Sequence, residues 1–245
     1  LRDLAKKTHR GQDGAFSRGF HAGGQAYGYR SVSSEQGSRL VVQEDEARWV
    51  RWIFERFAEG WTPRRIAFGL NEQRAPSPRG GTWAVGAIYG SPAKGTGVLN
   101  NPAYVGRVIW NRSTWIKDPE TGTRKRVERP RSEWRTVERP DLAIVSPELW
   151  AAARARMDAP RNASGRRGAP PSTLFGGLLR CGICGGSVIA VNALQYGCAT
   201  RKDRGAVVCA GVNVRRDLTD SRLLAELRAR LLSDEALATL QAAVR

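Results

Sequence analysis

The sequence is poor in the groups that usually carry acid–base or metal-assisted catalysis: its 245 residues include two histidines, His9 and His21, one methionine, Met157, and four cysteines. No apolar run approaches the roughly 18 to 20 residues of a membrane span, and no charged segment followed by an apolar core opens the chain, so neither a membrane nor a secretory reading is favoured. There is no P-loop, no Gly-x-Gly-x-x-Gly after a predicted strand, no Ser/His/acid triad spacing and no carboxylate cluster for two metals. No catalytic residue is therefore assigned, and no small-molecule substrate is implied. Negative charge is also scarce: 40 Lys+Arg against 23 Asp+Glu give a net charge of +17 and a pI near 10.9. That balance suits a polyanionic partner, nucleic acid first, and a cytoplasmic location. The chain opens on Leu1 and its only methionine is internal, so it reads as a segment of a longer translation product.

What is present is enough to build real cores: 41% of residues are hydrophobic, and eight are tryptophan. Residues 1–10 read as the end of a polar helix, and Gly19 to Tyr29 as an extended arm. From Gln43 the spacing of Val50, Ile53, Phe54 and Phe57 predicts a helix that Gly60 stops. Thr62-Pro63 predicts a second helix, through about Gln73, and Thr82 an N-cap for a third from Trp83 to about Tyr89. Three short helices with tight connections suggest a helix-turn-helix variant. Asn100-Asn101-Pro102 is turn chemistry, and Tyr104 to Trp110 predicts a strand pairing near Trp134 to Val137 around a basic hairpin tip. Ser146-Pro147-Glu148 predicts a helix through about Met157. Residues 158–173, rich in Pro, Gly, Ser and Arg, mark a domain boundary. Beyond them come a cysteine-bearing module and two helices, one near Asp217 with Leu224, Leu227 and Leu231 on a face, the other near Ser233.

All four cysteines fall within 29 positions, as Cys181, Cys184, Cys198 and Cys209 in the spacing C-x2-C-x13-C-x10-C. Cys181-Gly182-Ile183-Cys184-Gly185-Gly186 has the form of a zinc knuckle, in which glycines let backbone amides turn toward the sulfurs. A soft four-thiolate set suits one structural Zn2+. Two disulfides fit poorly with a chain lacking a secretion signal, and a redox C-x2-C leaves Cys198 and Cys209 unexplained.

Basic clusters are the second signal, and their excess is centred on the middle third: residues 61–140 carry 15 basic and 6 acidic groups. Arginine outnumbers lysine heavily, and its planar fork suits both phosphate and the guanine edge. The candidate DNA contacts are Arg18, Gln25 and Tyr27 in the arm, and Arg64, Arg65, Arg74, Arg79, Thr82 and Trp83 in the helical unit. Further candidates are Lys117, Arg124, Lys125 and Arg126 at the hairpin tip, Arg166 and Arg167 in the linker, and Arg201, Lys202, Arg204 and Arg215 beside the cysteines. Any single cluster could be solvated surface; the uncompensated ensemble points to a duplex. Non-specific RNA or DNA binding, or a protein-interaction module, are the competing readings.

Taken together these residues resemble the C-terminal part of a large serine recombinase. Gly23-Gly24-Gln25-Ala26-Tyr27-Gly28-Tyr29-Arg30 resembles the segment after that family's long linker helix. Leu99-Asn100-Asn101-Pro102-Ala103-Tyr104-Val105-Gly106 resembles the hallmark of its recombinase domain, and Cys181 to Cys209 its zinc ribbon. The resemblance implies an α+β fold: an arm (1–30), a recombinase domain (31–157), a linker (158–173) and a zinc-ribbon domain with terminal helices (174–245). It also implies sequence-specific binding of attachment half-sites for integration or excision, by a parent that is a dimer on DNA and a tetramer in synapsis. No position matches the family's nucleophile motif, so the chain by itself is expected not to cleave DNA.

Overall fold

Helical and β-forming stretches alternate along the chain as the residue pattern demands, in a computed structural model that describes residues 2–92, 94–159 and 173–231. The chain divides into two compact units, one through residue 160 and one beyond it. The first holds α1 (Arg2–Ser17), a hairpin of β1 (Tyr29–Ser34) and β2 (Gly37–Val42), and the helices α2 (Glu44–Ala58), α3 (Pro63–Glu72) and α4 (Val85–Ile88). Then follow β3 (Arg107–Trp110), β4 (Ser113–Lys117), β5 (Arg124–Glu128), β6 (Arg135–Glu138) and α5 (Pro147–Asp158). The strands form three separate antiparallel pairs, β1–β2, β3–β6 and β4–β5.

Local chemistry accounts for the helices. Glu44, Asp45 and Glu46 complement the positive end of α2, and Val50, Ile53, Phe54 and Phe57 bury its apolar face. Thr62 caps α3 by accepting from the Arg65 amide at 3.2 Å, with Pro63 at the first helical position. Ser146 caps α5 in the same way through the Leu149 amide. The far end of α2 is closed from outside: the Arg156 guanidinium donates to the carbonyls of Phe57, Gly60 and Trp61. Phe57 lies in the last turn of α2, where a helix leaves carbonyls to outside partners, and Gly60 and Trp61 lie in the turn beyond it.

The core is a set of aromatic rings from distant parts of the chain. Tyr29 stacks on Tyr104 with centroids 5.7 Å apart, Phe54 meets Tyr104 edge-on at 6.0 Å, and Tyr27 meets Trp83 edge-on at 5.1 Å. Burying each such ring removes on the order of 150–250 Å² from water, roughly 4–6 kcal/mol before entropy. The polar atoms are satisfied: the Tyr29 hydroxyl lies 2.8 Å from the carbonyls of both Ala103 and Leu142, and the Tyr104 hydroxyl donates to Tyr27 O. Gly28 sits between these tyrosines at φ +90°, where a Cβ would lie 2.9 Å from Ile144 Cδ1. Only glycine serves there. Asn100, also buried, donates to the carbonyls of Tyr89 and Thr96 and accepts from Arg154, tying a loop to α5.

Several expectations are corrected. The first helix extends to Ser17 rather than ending near residue 10. The stretch read as an arm delivers Tyr27, Gly28 and Tyr29 into the core, and the β1–β2 hairpin beyond it had no forecast. The third helix starts later than expected, with Ala84 instead of Thr82 at its N-cap. The cause is Asn71, whose side chain accepts from the Trp83 amide at 2.7 Å and donates to the Trp83 carbonyl at 2.9 Å. Trp83 is thereby held outside the helix. Tyr104 belongs to a 3-10 turn (Pro102–Val105), and the strand begins after Gly106; its pairing with β6 follows the forecast. Residues 117–131, expected as a charged tip, fall largely in the β4–β5 ribbon, which pairs Ser113–Lys117 with Arg124–Glu128.

The second unit is built on a three-stranded sheet of β7 (Val188–Ala190), β8 (Gln195–Cys198) and β9 (Asn213–Arg215), with α6 (Ala199–Arg204) and α7 (Arg216–Leu231). Its small core joins Val188 and Tyr196 to Cys181, Cys198 and Cys209. Leu224 and Leu227 on α7 are exposed. The helix expected near Ser233 and most of the expected linker lie outside the described residues. No helix among the described residues is long and apolar enough to cross a membrane.

Candidate metal centre and nucleic-acid interface

The four cysteine sulfurs converge from three places: the turn carrying Cys181 and Cys184, the end of β8 with Cys198, and the loop after α6 with Cys209. All lie within 4.8 Å of one another, and neighbouring sulfurs are 3.6 Å (Cys184–Cys198) and 3.9 Å (Cys181–Cys209, Cys198–Cys209) apart. A tetrahedron with metal–sulfur bonds of about 2.3 Å has edges of about 3.8 Å, whereas a disulfide needs about 2.05 Å. None of the four is disulfide-bonded. The spacing is that of ligands around one centre.

The turns prepare the sulfurs as thiolates. Amides of the Cys181–Gly186 turn point at them, and Gly185 holds φ +68° to allow it. The Gly186 amide and the Thr200 hydroxyl hold the Cys184 thiol down to about 6, and backbone amides lower Cys181 as well. Cys209 accepts from the Gly211 amide at 3.2 Å, but burial dominates and pushes its thiol up to about 12. A cation among the four sulfurs would relieve that burial cost by replacing the proton. The soft, closed donor set suits zinc and would leave no position for a substrate.

The basic candidates separate into three groups. Tyr27 and Trp83 are core residues: Tyr27 donates to Pro76 O at 2.7 Å, and Trp83 donates its indole to Ala75 O at 3.1 Å. Neither side chain is available to DNA, which corrects their assignment; aromatic burial outweighed the position before a helix. Arg201 donates to Ala210 O, Arg215 pairs with Asp217 at 2.5 Å, and exposed Gln25 donates its amide to Tyr29 O. These hold local structure. Arg18, Arg64, Arg74, Arg79, Lys117, Arg124, Lys125 and Arg126 are exposed, as is Arg65, whose guanidinium lies over the Trp61 ring at 3.9 Å. Thr82, Lys202 and Arg204 are half-buried, and Arg166 and Arg167 lie outside the described residues.

Arg74 is held in the left-handed region at φ 52°. It follows the C-cap of α3, where the Ala75 amide reaches back to Leu70 O and the Arg74 amide to Asn71 O. That is the Schellman closure, in which glycine is the favoured residue. A charged side chain stands where backbone strain favours glycine. Sequence reasoning passed over Arg112, which lies over Trp134 at 4.9 Å with no carboxylate partner among the described residues. Burial, and then Arg126, lower its affinity for a proton. Arg131 lies over the same ring at 5.7 Å but is exposed, whereas Arg112 is half-buried, a difference that only the tertiary placement of Trp134 makes.

Compared with known proteins, the chain matches the recombinase family over residues 44–160 and the recombinase zinc beta ribbon domain over residues 174–228. No curated protein matches it. Among solved structures it is similar to a crystal structure of an LSR–DNA complex, with a TM-score of 0.41 and 16% identity over 93% of this chain and 65% of that one. It is also similar to a structure described by the sequence requirements of the Listeria innocua prophage attP site, with a TM-score of 0.37 and 16% identity over 96% of this chain and 92% of that one. The chain thus spans less than two thirds of the first of these. The two family matches stand in the order that the Asn-Asn-Pro turn and the four-cysteine module imply, and the chain carries a recombinase-family domain followed by a recombinase zinc beta ribbon domain.

Proposed function

We propose that this chain is the DNA-gripping part of a large serine recombinase, in which the recombinase unit and the zinc unit bind successive stretches of an attachment half-site. The observation that carries this reading is the exposed arginine and lysine surface along residues 64–79 and 117–126 of a recombinase-family domain, whose cations form no ion pair among the described residues. One zinc per chain holds the second unit folded and takes no part in chemistry. In the whole protein, acting on bacterial or phage DNA in the cytoplasm, these units would position duplexes for integration or excision by dimers that pair into a tetramer.

Phosphate contacts give affinity a steep salt dependence, whereas base contacts give sequence preference. If about six to ten phosphates are engaged, affinity for duplex DNA should fall roughly 10³- to 10⁵-fold between 50 and 200 mM salt. Selection from a randomised duplex of about 40 base pairs should enrich one extended motif in two adjoining parts, longer than a single recognition helix covers. A flat salt profile would overturn the DNA reading. Steep binding without enrichment would leave a non-specific polyanion binder.

A further inference from the structure

The register of the β4–β5 ribbon sorts its side chains by face. Ser113 pairs with Glu128, Trp115 with Arg126 and Lys117 with Arg124, while Thr114 pairs with Val127 and Ile116 with Lys125. Cross-strand partners and residues two apart share a face. One face therefore carries Lys117, Arg124 and Arg126 around Trp115, with Glu128 opposite Ser113 at its inner end, and the other carries a single cation, Lys125. Every residue of β5 is exposed, and Trp115 itself is 64% exposed.

Three features make this face more than solvated charge. Arg126 donates Nε to Ser113 Oγ at 2.8 Å, which restrains the plane of its guanidinium and does not engage the terminal nitrogens. Lys117, Arg124 and Arg126 have no carboxylate ion-pair partner among the described residues, although nine other arginines do. The tip is also rigid: Asp118 accepts from the amides of Glu120 and Thr121 at 2.9 and 3.2 Å, and its own amide donates to Thr123 O at 2.8 Å. Its acid is thereby turned onto the tip's own backbone.

We propose that this ribbon enters the major groove of duplex DNA with the Lys117–Trp115–Arg126 face toward the base edges, an inference that rests on the DNA-binding reading above. Two strands about 4.8 Å apart with their side chains fit a groove about 12 Å wide and not one about 6 Å wide. In that position the oriented fork of Arg126 reads O6 and N7 of a guanine, and Trp115 supplies apolar surface for a thymine methyl. Lys117 and Arg124, at the outer end, meet the flanking phosphates. The occupant is duplex DNA because the charge segregates to one face of an otherwise uncovered ribbon.

The test uses the full chain with zinc and the duplex recovered by selection, read by fluorescence anisotropy and by interference from guanine N7 methylation. Wild-type protein is expected to show interference at one or more guanines, and Arg126→Ala to lose it at one of them with about ten- to hundredfold weaker binding. Trp115→Ala should weaken binding to the thymine duplex but lose nothing further when deoxyuridine replaces thymine. Ile116→Ala and Val127→Ala, on the other face, should stay within about twofold of wild type. Circular dichroism checks that each variant is folded. If wild type binds no duplex, the DNA reading itself fails. If it binds and the two faces respond alike, or methylation has no effect, the ribbon assignment is overturned.

Discussion

Arg74 is a single residue at which backbone strain and a role in binding can be separated by one substitution. Its left-handed backbone closes α3 in a geometry that glycine adopts freely and that costs other residues about 1 kcal/mol. Arg74→Gly is therefore expected to raise the urea midpoint of the first unit while weakening duplex binding and lowering the slope of log affinity against log salt by about one. Stabilisation with unchanged affinity would place the Arg74 cation outside the interface. Arg156 is the contrasting case. It is equally cationic, but its guanidinium is turned inward onto the carbonyls of Phe57, Gly60 and Trp61. Counting charge along the chain treats the two residues alike; their hydrogen bonds separate them.

At the scale of elements, that difference becomes a stability prediction. The C-terminus of α2 depends on a side chain from α5, so Arg156→Ala should destabilise the first unit by about 2 to 3 kcal/mol in urea unfolding. At temperatures where the variant is folded, its duplex affinity should match wild type. The elements that were legible in the sequence are those with self-contained signals: the apolar face of α2, the Thr62-Pro63 start of α3, the Ser146-Pro147 start of α5 and the four-cysteine spacing. The elements that were not legible depend on distant partners. Trp83 fails to start a helix because Asn71, twelve positions earlier, captures both of its backbone groups. Tyr27 and Tyr29 look like parts of a loop until Tyr104 and Trp83 arrive to bury them. The β4–β5 ribbon has no apolar alternation because neither face enters the core, so hydrophobic patterning carries no record of it.

For the whole molecule, the two hydrophobic cores share no residue, and only the second contains cysteines. Chelation at neutral pH, or Cys184→Ser, should unfold residues 173–231 and leave the first unit folded, as seen by circular dichroism and limited proteolysis. The loss is large because metal affinity in such a module supplies folding free energy of about 10 kcal/mol or more. Acid should act in the same direction. Below neutrality protons compete for the thiolates, and Cys209, held up to about 12 without a metal, must release a proton each time metal binds. Zinc affinity measured by competition should therefore weaken as pH falls from 8 to about 6.

Composition by itself pointed to a polyanionic partner, because 17 uncompensated positive charges survive any arrangement of the chain. The cysteine spacing determined the metal site in the same way, since four thiols so close in sequence meet in almost any compact turn. What only the tertiary structure decided is which cations face outward. Arg156, Arg201 and Arg215 are bound to carbonyls or a carboxylate, Tyr27 and Trp83 are sealed in the core, and Lys117, Arg124 and Arg126 are gathered on one side of a ribbon. Charge is a property of each residue alone. Direction is set by strand register and by hydrogen bonds to residues far along the chain, which exist only once the chain has folded.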